Sequence, residues 1–174
     1  MQRPPRDDVD AAHRFDLTRI YETHDDWASA RDDLVARLDA LEATAAPPAT
    51  SDELETLLVE TEACHRVRQR LDLYATLSAN VATESTTTSE RQRAFRELDA
   101  TVETVRVAVV RALGAVDDDR FEELLADLDG YDYYARNLRE RAAHVREPDV
   151  EDVIAAHAET RSGTTRVLEA VTTE

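Results

Sequence analysis

The sequence predicts an all-α protein, an antiparallel bundle of about six helices preceded by an extended N-terminal arm. Three observations carry that prediction. Ala, Leu, Glu, Asp and Arg dominate the chain, a helix-type composition. Its three glycines are too few for the closely spaced turns of a β-sandwich. Apolar residues recur at three- and four-residue steps, and no stretch alternates as a strand would.

Residues 1 to about 14 carry two prolines and mixed charge without periodicity, and read as the arm; residues 15–174 read as one helical domain. The first helix is expected to begin near Thr23 or His24, with the stripe Trp27, Ala30, Leu34, Leu38 and Leu41, and to end at Ala45-Ala46-Pro47-Pro48. Ser51 is the expected cap of a long second helix reaching about residue 82. Its apolar face is Leu54, Leu57, Leu58, Thr61, Cys64, Leu71, Tyr74, Leu77 or Ser78, and Val81. Thr83 to Ser89 is rich in Ser and Thr and reads as a loop, with Ser89 capping a third helix along Phe95, Leu98, Val102, Val105, Val109 and Leu113. Asp119-Arg120-Phe121-Glu122 has capping-box spacing, which predicts a short fourth helix with Phe121, Leu124, Leu125 and Leu128 inward, ended by Asp129-Gly130. A fifth helix is expected along Tyr131, Tyr134, Leu138 and Ala142, and a sixth from Pro148 through Val150, Val153, Ile154 and His157. Ser162-Gly163 interrupts, and Thr164 to Thr173 begins a further turn or two. The ending at Val171-Thr172-Thr173-Glu174 looks cut, because no terminating signal follows.

The net charge is −17, from 38 acidic and 21 basic residues, and every basic residue is arginine. No dense cationic stripe is available for a phosphate backbone, so nucleic acid is not an expected partner. The acids are scattered instead of forming a tail. That pattern fits a high-salt cytoplasm, where screening over ~3 Å at molar salt tolerates the self-repulsion. No apolar run approaches a bilayer span and the N-terminus lacks a signal-peptide core, so a cytoplasmic protein without membrane contact is expected. Cys64 is the one cysteine, expected as a small buried thiol beside Glu60 and Glu62, a setting opposite to that of a reactive thiolate.

Five histidines are present, and none stands in a His-Glu-x-x-His pattern. His13 and His24 are too far apart to share a helix face, and His157 has no second histidine in register, so no zinc site assembles. Glu62-x-x-His65 matches half of a carboxylate-bridged di-iron motif, but the nearest second copy, Glu140 with His144, is spaced by four. An ordinary surface pair is the preferred reading. Tyr131, Tyr133 and Tyr134, followed by Arg136, Arg139 and Arg141, form the one aromatic cluster. An interface patch is one reading; the preferred one packs Tyr131, Tyr134 and Leu138 inward along one stripe with the hydroxyls reaching out. Three scattered glycines leave no room for a phosphate-binding loop.

The run Arg14-Phe15-Asp16-Leu17-Thr18-Arg19-Ile20-Tyr21, followed by Asp25-Asp26-Trp27, resembles the opening of the oligoendopeptidase F family. There an aromatic-Asp-Leu-Thr-x-Leu/Ile-Tyr segment leads into a helix carrying a tryptophan. Tyr133-Tyr134-x4-Arg139 through Arg141 and His144, ahead of Glu147-Pro148-Asp149-Val150-Glu151, is similar to the family's Tyr-rich basic helix and the acidic helix start after it. The resemblance spans about Phe15 to Val171. It implies a helical N-terminal domain that helps wall the peptide cleft of a zinc metallopeptidase acting on short peptides. The family holds zinc with a His-Glu-x-x-His helix and a later glutamate; neither maps onto any residue here. The expectation is therefore a non-catalytic domain: no catalytic, cofactor-binding or metal residues, no cofactor in this chain, zinc in the complete family enzyme. Its expected partners are the catalytic domain of the same protein and, in the complete enzyme, oligopeptides. The alternative is a free-standing helical interaction module from a salt-adapted organism. Two stretches are expected to be exposed without a partner domain: Phe15, Leu17 and Ile20 in the arm, and Val167, Leu168 and Val171 near the end.

Overall fold

The computed structural model describes residues 10, 16–81, 86–128 and 130–145, and no strand occurs among them. Five α-helices follow a short 3₁₀ turn at Leu17–Arg19: α1 His24–Thr44, α2 Ser51–Val81, α3 Thr86–Gly114, α4 Asp118–Ala126 and α5 Asp132–Glu140, with a second 3₁₀ turn at Arg141–His144. The all-α expectation holds. The expected sixth helix from Pro148, the last segment with Val167, Leu168 and Val171, Phe15 and most of the arm lie outside the described residues.

The three long helices all pack on one another. Cross-helix bonds set their directions. Trp27 Nε1 donates to the Leu71 carbonyl at 3.1 Å while Arg37 meets Glu60 at 2.8 Å, so α1 and α2 run antiparallel. Arg68 meets Asp99 at 2.7 Å while Arg91 stacks over Tyr74, so α2 and α3 are antiparallel as well. Most of each stripe read from the sequence is core: Trp27, Leu34, Leu38 and Leu41 from α1; Leu54, Leu57, Leu58, Cys64, Leu71, Tyr74 and Ser78 from α2; Leu98, Val105, Val109 and Leu113 from α3. Ala75 and Val110 join them, whereas Ala30, Thr61, Phe95 and Val102 are half-buried. Of the alternatives Leu77 and Ser78, the structure buries Ser78, whose hydroxyl is satisfied by the Tyr74 carbonyl at 2.6 Å.

The helix ends bear out the expected start of α1 and correct other boundaries. Thr23 caps α1 with a complete capping box: its hydroxyl accepts the Asp26 N–H, and Asp26 accepts the Thr23 N–H at 2.9 Å. On α2, however, the cap is Thr50 and not Ser51. Thr50 Oγ1 accepts the Glu53 N–H at 3.2 Å and its carbonyl already accepts from Leu54, which makes Ser51 the first helical residue. Thr86 to Ser89 are helical, so neither the full loop nor the Ser89 cap is present. Once the Arg91, Phe95 and Leu98 face is anchored, extending a helix backward adds one hydrogen bond per residue and outweighs the modest Ser/Thr propensity. α4 starts after Asp117, with no side-chain cap, so Asp119 lies inside the helix and cannot head a capping box. Tyr131 precedes α5 as its cap residue and Ala142 follows it in the 3₁₀ turn, so α5 is shorter than expected.

Leu17 and Ile20, expected to be exposed, are half-buried against the core. The opening motif explains why. Asp16 accepts the Thr18 N–H at 3.1 Å and the Thr18 hydroxyl at 2.6 Å, which closes the first 3₁₀ turn and folds the chain back over α2. Arg70 on α2 then donates to the Ile20 carbonyl at 2.6 Å and lies 4.9 Å from the Tyr21 ring. Tyr21 is buried edge-on against Tyr74, with ring centroids 5.5 Å apart. Asp16 and Thr18 thus shape the turn, while Leu17, Ile20 and Tyr21 dock the chain entry onto the bundle.

Candidate functional site

Near the start of α1, Trp27 is 1% exposed. His24 stacks on its ring at 5.8 Å, and the guanidinium groups of Arg31 and Arg91 lie 5.7 and 5.9 Å from it. Arg91 is buried at 8% exposure and also sits 5.0 Å from the Tyr74 ring, with His24 Nδ1 at 3.3 Å. The planar Arg91 guanidinium can lie buried against two rings at once, which suits arginine better than the compact, strongly hydrated ammonium of lysine. The tryptophan of the opening motif is therefore a core anchor joining α1, α2 and α3.

The Tyr–Arg segment runs from Tyr131, the cap of α5, through α5 itself, which buries Ala135 and Leu138, to Arg141 in the 3₁₀ turn. Its two inward tyrosines, Tyr131 and Tyr134, are half-buried with ring centroids 6.5 Å apart, whereas Tyr133 is 78% exposed. Tyr131 donates its hydroxyl to Glu62 Oε2 at 2.8 Å, and Arg66 donates to the other oxygen of Glu62 at 2.5 Å. The Arg66 hydrogen bond first, and the Tyr131 hydroxyl second, hold the Glu62 carboxyl below the usual range; the bond to Glu62 pushes the Tyr131 phenol up. Burial raises the Tyr134 phenol in the same direction.

Arg139 makes the most ties in this segment. Its guanidinium lies 4.5 Å from the Phe121 ring and donates to the Val116 carbonyl at 2.6 Å and to Asp118 at 2.7 Å. Its buried Nε has no hydrogen-bond partner among the described residues. Arg136 reaches across to both oxygens of Glu122 on α4, one bond at 2.7 Å. Between α3, α4 and α5 the chain leaves a cleft of about 730 Å³. Gly114, Ala115, Phe121, Ala142, Ala143 and Val145 form its apolar wall; Arg111, Arg136 and Arg139 face it with one acid, Glu140.

Metal-ligand candidates are not brought together. Glu62 is held by Arg66 and Tyr131, while His65 Nε2 faces Gln69 at 2.9 Å. Glu140 ends α5 and His144 belongs to the 3₁₀ turn, so that pair does not share one helix face. Among the described residues no three His, Cys, Asp or Glu side chains are grouped to hold an ion. The described histidines, His24, His65 and His144, stand on α1, α2 and the second 3₁₀ turn. Cys64 is buried and burial raises its thiol, the reverse of an activated nucleophile. No described helix is long and apolar enough to cross a membrane.

Sequence reading located the Tyr–Arg segment but missed its partners. Glu62 was weighed as a metal ligand, and Phe121 as core alone. The signal for both lay in the surplus of arginines over a short stretch, each of which needs a ring, a carbonyl or a carboxylate.

Residues 113–173 match the family model described as oligopeptidase F, that of its N-terminal domain. The match takes in α4, α5 and the Tyr–Arg segment and bears out the resemblance to an oligoendopeptidase F-type N-terminal domain. The opening motif lies outside the matched residues, so the two parts of the resemblance rest on different stretches of chain. No curated protein and no solved structure matches the chain.

Proposed function

We propose that this chain is a non-catalytic helical domain of an oligopeptidase F-type peptidase, and that it helps wall the peptide-binding cleft of a zinc-dependent oligopeptide hydrolase. The observation that carries the reading is the family match over residues 113–173, which falls on α4, α5 and the Tyr–Arg segment. The absence of any His-Glu-x-x-His run from the sequence supports a supporting role over a chemical one. Zinc and the hydrolytic machinery belong, on this reading, to the catalytic domain that the helical domain meets.

The test is a complementation assay. The purified chain should cleave no fluorogenic oligopeptide, with or without added zinc. A family catalytic domain stripped of its own helical part should regain cleavage when the chain is supplied. Zinc-dependent cleavage by the chain alone, or no gain on mixing, refutes the reading.

The charge favours a second reading, a free-standing helical interaction module from a salt-adapted organism. A net charge of −17 with arginine as the sole base is tolerated best where salt screens it. The melting temperature should then climb as KCl rises toward molar concentrations; a flat response removes the salt-adaptation argument.

A further inference from the structure

α5 is short, yet side chains brace it along its whole length. Tyr131 ties its start to Glu62 on α2, Arg136 ties its middle to Glu122 on α4, and Arg139 ties its end to Val116 and Asp118. Its inner face buries Ala135 and Leu138. Both arginines of the helix are thus engaged within the chain. Tyr133 is not: it is 78% exposed, and its hydroxyl makes no hydrogen bond among the described residues. Every other described tyrosine, phenylalanine or tryptophan is buried or half-buried. An exposed ring adds little to the stability of the chain that carries it. On a braced helix, however, a tyrosine has only two side-chain torsions to fix, so it loses little entropy on entering a partner's pocket.

Two observations point to the partner. The match to the oligopeptidase F N-terminal domain takes in α4 and α5 and no part of α1 or α2. Packing within the chain accounts for Phe121, Ala135 and Leu138 in that stretch, but not for a ring left in solvent. The second is charge. Asp132 and Glu140, both exposed at the two ends of α5, form no ion pair among the described residues, so the surroundings of Tyr133 favour a basic neighbour. We propose that the outer face of α5, anchored by Tyr133, is where this domain meets the catalytic domain of the peptidase. The ring enters an apolar pocket there, and basic groups on the pocket rim meet Asp132 and Glu140. This rests on the peptidase reading above and adds to it the face and the anchoring residue.

The test titrates the full chain into a family catalytic domain stripped of its own helical part. Tyr133→Ala should weaken binding by about tenfold or more, with the denaturant midpoint of the free chain unchanged. Asp132→Asn together with Glu140→Gln should weaken it less, by about threefold. Leu73→Ala, at a half-exposed leucine on α2, should leave the affinity as it is. In the unaltered chain, hydrogen exchange should show protection gained on binding over residues 132–140 and none over α1. Full affinity in Tyr133→Ala or in the charge variant overturns the proposal and leaves the peptidase reading standing. No binding by the unaltered chain removes that reading, and the proposal with it. A lowered midpoint of the free Tyr133→Ala chain would mean that another part of the same chain covers the ring, and overturns the proposal. Self-association that Tyr133→Ala abolishes would assign the face to a second copy, and overturns it equally.

Discussion

The three-helix bundle and the short-helix layer packed on it are held by different means. In the bundle, helices of 21, 31 and 29 residues bury long aliphatic stripes, and residues such as Leu34, Leu54, Leu71, Val109 and Leu113 are fully enclosed. In the layer, α4 and α5 have nine residues each, shorter than an isolated helix needs for stability in water. Their buried residues, Phe121, Leu124, Leu125, Ala135 and Leu138, are supplemented by polar ties: Arg139 to Val116 and Asp118, Arg136 to Glu122, Arg120 to the Ala49 carbonyl, Tyr131 to Glu62. Long helices need only the stripe. Short ones need side chains that reach a carbonyl or a carboxylate on a neighbour, and such residue-specific ties leave a sharper mark on sequence than interchangeable aliphatics do.

The bundle should therefore give the largest single-site loss. Trp27→Ala removes a fully buried ring and the Nε1 bond to Leu71, and should destabilise the domain by about 3–5 kcal/mol in denaturant unfolding. A loss below that of any layer variant breaks the comparison. Next comes the junction of the two regions. A Cβ built on Gly114 would lie 2.4 Å from the Ala142 Cβ, a contact neither small side chain can rotate away from. Gly114→Ala gains up to about 1 kcal/mol of helix propensity. The overlap should exceed that, leaving a net loss of about 1–2 kcal/mol by overpacking. Ala142→Gly in the same chain should recover it. A stabilised single variant would show that the turn is free to move away from α3.

Much of the bundle was legible in the sequence because period and burial coincide there. Trp27, Leu34, Leu38 and Leu41 are all buried, and Thr23 begins the helix as its polar cap predicts. Boundaries were less legible where several polar residues compete. Thr50 and Ser51 are both good caps, and the run Asp117-Asp118-Asp119 offers three, so the choice falls to whichever places Leu54 or Phe121 inward. The Ser/Thr run before Glu90 has loop composition, and cooperativity carried the helix back into it. The docking of Leu17 and Ile20 was not legible, because it depends on Arg70, fifty residues away from the carbonyl it binds. In the candidate site the Tyr–Arg spacing was readable, but the partners Glu62 and Phe121 come from other helices and follow from tertiary contact alone.

Arg139 measures how much the layer owes to its polar ties. Lysine at this position keeps the charge but loses the planar fork that spans Val116, Asp118 and the Phe121 face. Arg139→Lys should destabilise by about 1 kcal/mol, less than either change above. The loss should appear first as lower exchange protection in α4 and α5, with the α1–α2 hairpin unaffected. Equal loss in both regions would mean that bundle and layer unfold as one unit, and that their different construction has no energetic counterpart.

The smallest effect expected is the pH response of the link between layer and bundle. Glu62 is held below its ordinary range by Arg66 and then Tyr131, so its contribution is present above about pH 4.3 and is lost as pH falls through the lowered folded value. Tyr131 is raised chiefly by its bond to Glu62, so its contribution is present below about pH 10 and is lost as pH rises through the raised folded value. Two variants separate the partners. Tyr131→Phe deletes the phenol, so the alkaline decline attributable to it should vanish while part of the acid decline persists through Arg66. Arg66→Gln deletes the larger influence on Glu62, so the acid decline should shrink while the alkaline one remains. The measurement is the denaturant midpoint of each variant from acid to alkaline pH at fixed salt. If Tyr131→Phe leaves the alkaline limb as steep as before, the hydroxyl contributes nothing to that limb, and the layer is joined to α2 by apolar contact alone.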